Sequence, residues 1–134
     1  MKQPNIKTLK KKLWTIFSLY IRTRDCFATT GTSSFALCIS CNKRYHLKTL
    51  QAGHFISGRH NANLFSEKGT HAQCYNCNIN LKGNTLEYRR RIIELYGEGY
   101  DLVLEKENRK TLKFTTPMLL KMIEDYKSKL NHLN

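Results

Sequence analysis

The sequence predicts an α+β, mainly helical chain stapled by zinc, with helices on both flanks of the metal core. Three observations carry that expectation. Apolar residues recur at helical spacing in the first segment. Two C-x-x-C pairs, CISC and CYNC, sit in the middle. Further helical patterns with their own start signals fill the last third. At 134 residues the chain fits one domain, 1–134. Within it we expect a basic amphipathic helix over 5–25, a four-cysteine core over 36–82 and C-terminal helices over 84–134.

The first helix places Leu9, Leu13, Phe17, Tyr20 and Ile21 on one face, widened by Ile6, Trp14 and Ile16. Lys7, Lys10, Lys11, Arg22 and Arg24 fall mostly elsewhere, as a solvated face or as phosphate contacts. CFATTGTSSF is rich in Thr, Ser and Gly and reads as a loop. Short apolar runs around CISC predict a zinc-knuckle hairpin whose strands end near His54. Residues 58–69 are polar and read as loop. A short helix is expected to begin around Cys74, with Cys77 and Asn78 in its first turn. The next helix has Asn84 at its N-cap, Glu87 at the capping-box position and Gly97 as its stop. Its Tyr88, Ile92, Leu95 and Tyr96 are expected to face the core. Residues 100–106 form a short apolar segment, and Thr116 with Pro117 opens the last helix.

Cys38, Cys41, Cys74 and Cys77 form the paired spacing of a structural zinc site, with Cys26 left over. Two residues between paired thiolates let both reach one ion from a tight turn. The gap between the pairs exceeds the common zinc-ribbon spacing of about 15–20 residues, so a functional insert is expected there. Lys and Arg number 23 against 10 Asp and Glu, a net charge of +13. That excess points to a polyanionic partner, with nucleic acid as the leading candidate. No apolar run approaches a membrane span, so no membrane partner is expected. The N-terminal stretch lacks a signal-peptide pattern, so a cytoplasmic location is expected.

The insert GHFISGRHNANLFSEKGTHAQCYNCN holds His54, His60 and His71. A strand ending at His54 and a helix carrying Asn78 would converge beside the zinc. An imidazole and an amide oxygen there suit a hard divalent ion, Mg2+ or Mn2+, completed by phosphate oxygens and water. The imidazole can take a proton from an attacking water at neutral pH.

GHFIS followed by HAQCYNCN between C-x-x-C pairs resembles the HNH (ββα-metal) nuclease signature, with a treble-clef-like zinc core. More narrowly, KLWTIFSLYIRTRD, CISC, LQAGHFIS, RH, HAQCYNCN, LKGN and EYRRRIIELYG together resemble the phage NinG/Rap recombination family, over roughly residues 12–97. The layout is also similar to phage endonuclease VII, in which a four-cysteine zinc braces an HNH-type site. The resemblance implies cleavage of branched recombination intermediates such as Holliday junctions, D-loops and flaps, and a bacterial host cell as the setting. A homodimer would suit the cutting of two symmetric strands. His54 matches the general base and Asn78 the catalytic-metal position. Cys38, Cys41, Cys74 and Cys77 match the zinc ligands. Two positions depart from the pattern: Gly53 stands where an Asp ligand is common, and Gly69 where the middle Asn is common. His60 or His71 could supply the missing ligand or orient the phosphate, and His54 could itself touch the metal. Arg59, Lys82, Arg89 and Arg90 are the candidate phosphate contacts, although three consecutive arginines spread around a helix and cannot all line one groove. The departures also leave open a zinc protein that binds DNA, branched or single-stranded, at junctions without cutting it.

Overall fold

The computed structural model describes residues 4–58 and 60–134, so the candidate phosphate contact Arg59 lies outside the described residues. Helix α1 spans Ile6–Thr30 and starts where the Asn5 side chain accepts from the Thr8 N–H at 2.8 Å. Leu9, Leu13, Phe17 and Ile21, spaced by four, are buried along one face. The helix runs past residue 25, through half of the segment expected to be loop, and ends at Gly31 with φ 72°. The reason is tertiary. The Thr29 hydroxyl donates back to the Asp25 carbonyl at 2.6 Å and accepts from the Leu37 N–H at 3.0 Å. Hydroxyls that would compete with helix are thus occupied in holding it against the first strand.

Strands β1 (Phe35–Leu37) and β2 (Arg44–His46) pair antiparallel with Ala36 opposite Tyr45, and CISC lies in the turn between them. Strand β3 (Leu50–His54) pairs antiparallel with β4 (Thr70–Cys74), with Gly53 opposite His71 and His54 opposite Thr70. Between them, in the expected loop, one turn of helix, α2, covers Asn61–Leu64. After β4 a single π-helical turn at Asn76–Asn80 stands where the short helix was expected.

Helix α3 is Thr85–Tyr96, α4 is Tyr100–Asn108 and α5 is Thr116–Leu133. Asn84 holds the cap position of α3 but takes φ 43° and makes no side-chain cap bond. Its amide reaches Cys77 Sγ instead, at 3.5 Å, and Glu87 pairs with Arg90, so no capping box forms. The cap of α5 is Thr115, one residue earlier than expected, accepting from the Met118 N–H at 3.3 Å.

Three buried clusters hold these elements together. Leu13 and Phe17 of α1 pack on Leu119, Ile123 and Tyr126 of α5. The zinc cysteines share a cluster with Leu50 and Ala72. Phe55, Tyr88, Ile92 and Leu104 form the third. Leu95, expected in the core, is 53% exposed. Buried Asp25 accepts from the Ala72 N–H at 2.7 Å, and Arg24 donates to the Glu67 and Thr70 carbonyls, each at 2.8 Å. That network docks α1 onto the β3–β4 pair. Among the described residues no helix is long and apolar enough to cross a membrane.

Candidate metal centre and catalytic cleft

The turn after β1 and the end of β4 bring Cys38, Cys41, Cys74 and Cys77 together, with all four sulfurs within 4.8 Å of one another. A tetrahedron with Zn–S bonds of about 2.3 Å has sulfur–sulfur edges of about 3.8 Å. The Cys41–Cys74 separation is 3.9 Å. Donors surround the sulfurs as thiolates require. Cys38 Sγ accepts from the Cys74 N–H at 3.3 Å, and Cys74 Sγ from the Cys77 N–H at 3.4 Å. Burial pushes the Cys38 thiol up and Cys77 up to about 12. Burial also opposes the Cys74 thiolate, but the Cys77 N–H and the Tyr45 hydroxyl outweigh it and bring that thiol down to about 7. Four sulfurs packed this closely cannot all ionise unaided, and a bound cation would let them do so. The donor set and spacing fit zinc.

A cleft of about 640 Å3 opens along the free edge of β3, and both His54 and Asn78 line it. His54 Nε2 lies 3.0 Å from the Leu64 carbonyl, and its ring stacks on Trp14 with centroids 5.2 Å apart. A carbonyl only accepts, so Nε2 carries the proton and Nδ1 of the neutral ring carries the lone pair. His54 therefore has one basic nitrogen, which can serve as base or as metal ligand but not as both at once. The Leu64 carbonyl is held by a residue the sequence reading passed over. Buried Asn63 donates to the carbonyls of Ile56 at 2.8 Å and Gly58 at 3.1 Å, closing the loop onto α2. It was one of several polar residues in a stretch read as loop, and only the Leu after it hinted at burial.

Asn78 donates through Nδ2 to Gln51 Oε1 at 2.7 Å, so Oδ1 is its donor atom toward a cation. The missing carboxylate has a structural counterpart. A Cβ built on Gly53 would lie 1.9 Å from Gln73 Oε1. Gln73 is fully buried and donates to Ser40 Oγ at 2.9 Å and the Gly83 carbonyl at 2.7 Å. The space an aspartate would use is filled. Among the described residues no carboxylate lines the cleft. The residues present do not fit a hard divalent ion held by the protein alone.

Neither of the other histidines joins this cleft. His71 sits opposite Gly53, on the face of the β3–β4 pair that His54 does not share. The Tyr88 hydroxyl donates to the Gly53 carbonyl at 2.7 Å, so it accepts from His71 Nδ1 at 3.2 Å. His71 Nε2 then accepts from the Tyr96 hydroxyl at 2.7 Å. Burial lowers the His71 pKa to about 4, so the ring is neutral. It holds α3 to the backbone beside His54 and does not replace the carboxylate. His60 precedes α2 and lines a separate pocket with Asn108 and Arg109.

Of the candidate phosphate contacts, Lys82 is exposed on the turn after the π-helical turn. Arg89 is committed to Asp101 and Glu105 and lies over the Phe55 ring, so it braces α3 on α4. Arg90 is exposed and pairs with Glu87 at 2.7 Å. Among the described residues, other basic side chains line the cleft and its neighbour. Arg22 and Lys48 line the cleft, while Lys7, Lys10 and Lys11 line an adjoining groove with Trp14 and Leu64. Helical spacing alone put Arg22 off the apolar face but could not show which strand edge it would meet.

Searches of curated proteins and of solved structures return no match. A family model does match: the one described as Bacteriophage Lambda NinG protein covers residues 2–134. The linked motifs of the core and the match along the chain agree, and the chain belongs to the bacteriophage lambda NinG protein family.

Proposed function

We propose that this NinG-family chain is a structure-selective DNA endonuclease that acts on branched recombination intermediates, with an HNH-type (ββα-metal) site braced by zinc. One observation carries the reading: His54 and Asn78 line a single open cleft, with the His54 tautomer set by the Leu64 carbonyl. Nδ1 takes the proton of a water attacking the phosphodiester phosphorus. The Leu64 carbonyl stabilises the imidazolium that results, and the Trp14 stack holds the ring plane. Cys38, Cys41, Cys74 and Cys77 would hold zinc, which ties the β1–β2 turn to the end of β4 and so places Asn78. Mg2+ or Mn2+ would supply charge stabilisation of the phosphate, and Asn78 is the side chain that would touch it.

A second reading is a zinc protein that binds DNA junctions without cutting. The filled space at Gly53 favours it. The two separate on one panel: labelled four-way junction, D-loop, flap, single-stranded and linear duplex DNA, each with Mg2+, Mn2+ or EDTA. Cuts near the branch point that EDTA abolishes support the nuclease. Tight branch-selective binding with no cut under either metal supports the binding protein.

A further inference from the structure

We propose that Arg22, with Lys48, is the anchor for a DNA phosphate in the cleft that His54 lines. This rests on the cleft being a DNA site and adds the group that grips the substrate there. The structure gives Arg24, Arg89, Arg90 and Arg91 each a carboxylate within ion-pair distance. Arg44 and Arg109 have none among the described residues but are exposed, and Arg22 differs from both groups. It is half-buried, and among the described residues no carboxylate pairs with it. Its Nε donates to the Ser18 carbonyl at 3.1 Å and one Nη to the Leu47 carbonyl at 3.4 Å. Those neutral acceptors orient the guanidinium without cancelling its charge. Nη2 and the second hydrogen of Nη1 remain to grip a phosphate as a fork.

The surroundings have the matching sign. Arg22 and Lys48 line the cleft with His54 and Asn78, and no described carboxylate does. Burial lowers the Arg22 pKa, as it does for a cation whose charge is uncompensated, yet arginine stays charged at any working pH. An uncompensated, partly desolvated cation is costly unless an anion joins it. The absent aspartate fits the same picture. With Gly53 closed off by Gln73, the cleft offers an incoming phosphate positive charge from side chains and no negative charge to repel it. Trp14, which stacks on His54, lies eight residues before Arg22, about 12 Å along α1, so the fork holds a neighbouring phosphate and orients the strand.

The test uses zinc-loaded full-length protein in a His54→Ala background, so that binding is read without cutting. Affinity for a labelled four-way junction is measured from low to moderate KCl. Arg22→Gln should lower affinity about tenfold and reduce the slope of log K against log salt by about 0.9, the loss of one phosphate contact. Arg22→Lys should keep the slope. With His54 restored, it should still cut several-fold more slowly because the fork is lost. Lys121→Gln, on α5 where Lys121 pairs with Asp125 at 3.2 Å, should leave the affinity within a factor of two. In unsubstituted protein the Arg22 Nε–Hε NMR signal should shift and saturate with junction DNA, and move far less with inorganic phosphate alone. That readout needs no variant that might misfold. An unchanged salt slope in folded Arg22→Gln, or an unmoved Arg22 signal, overturns the anchor. The result is separable from the nuclease reading. Protein that never cuts yet loses a salt contact with Arg22 keeps the anchor and loses the enzyme. Protein that cuts equally well as Arg22→Gln keeps the enzyme and loses the anchor.

Discussion

Adding a single methyl at Gly53 should be among the most damaging small changes this chain can suffer. The glycine has ordinary backbone angles, so no conformational strain enters. The cost is steric. The new Cβ would meet Gln73 Oε1 at 1.9 Å, Cδ at 2.9 Å and Cβ at 3.0 Å. Oε1 ends a flexible side chain, but Gln73 is fully buried and its amide is tied to Ser40 and Gly83. Moving it overpacks the site, at about 1–3 kcal/mol. It also breaks two buried hydrogen bonds, at about 1 kcal/mol each. Gly53→Ala should therefore lose about 3–5 kcal/mol in urea unfolding of zinc-loaded protein followed by circular dichroism. Gly53→Asp, which restores the usual nuclease residue, should lose at least as much and gain no activity. The double-mutant cycle isolates the cause. In a Gln73→Ala background the alanine at 53 has room, so the coupling energy should be about 2 kcal/mol. A Gly53→Ala cost below about 0.5 kcal/mol, or an equal cost in both backgrounds, would refute the steric account.

Removing the metal should unfold the β1–β2 and β3–β4 region. Cys38→Ser should drop the zinc content from one per chain by elemental analysis and lower the melting temperature steeply, since structural zinc is worth about 10–16 kcal/mol in apparent terms. His71, held neutral by burial with a pKa of about 4, protonates more readily when unfolded, near 6.5. The unfolded state thus binds more protons between those values, and stability present above about pH 6.5 is lost as pH falls toward 4. About 2 kcal/mol should go between pH 7 and pH 5, and His71→Gln should flatten that slope in urea titrations at each pH. Asn63→Ala removes two bonds that close the 56–64 loop. It should cost about 2 kcal/mol and reduce cleavage more than junction binding, because the Leu64 carbonyl loses its place against His54. Equal losses in both assays would contradict that role.

Much of this was legible because its signals are local. Paired cysteines announce a tetrahedral site through spacing alone, and β3 ends at His54 as the apolar run implied. What escaped depends on faces and partners. His71 lies close to Asn78 in sequence, yet strand alternation turns it away from His54, toward Tyr88 and Tyr96. The pairing of His54 with Thr70 decides that, and no residue type encodes it. Arg89 looked like a DNA contact until Asp101, twelve residues on, proved to hold it. The Thr-rich end of α1 reads as loop by composition, and only its bonds to β1 make it helix. Gly53 looked like a missing ligand, and the structure shows a space taken by Gln73.

The proposed role of His54 is the base of a DNA-cutting cleft. Its most direct test is single-turnover cleavage of a labelled four-way junction by zinc-loaded protein and by His54→Ala, with Mg2+ or Mn2+, after matched melting curves and zinc contents confirm that both are folded. Cuts near the branch point should fall by at least about a hundredfold in the variant, while junction affinity changes little. Equal cutting by both proteins would remove His54 from the chemistry, and no cutting by either under any metal would make the cleft a binding site only.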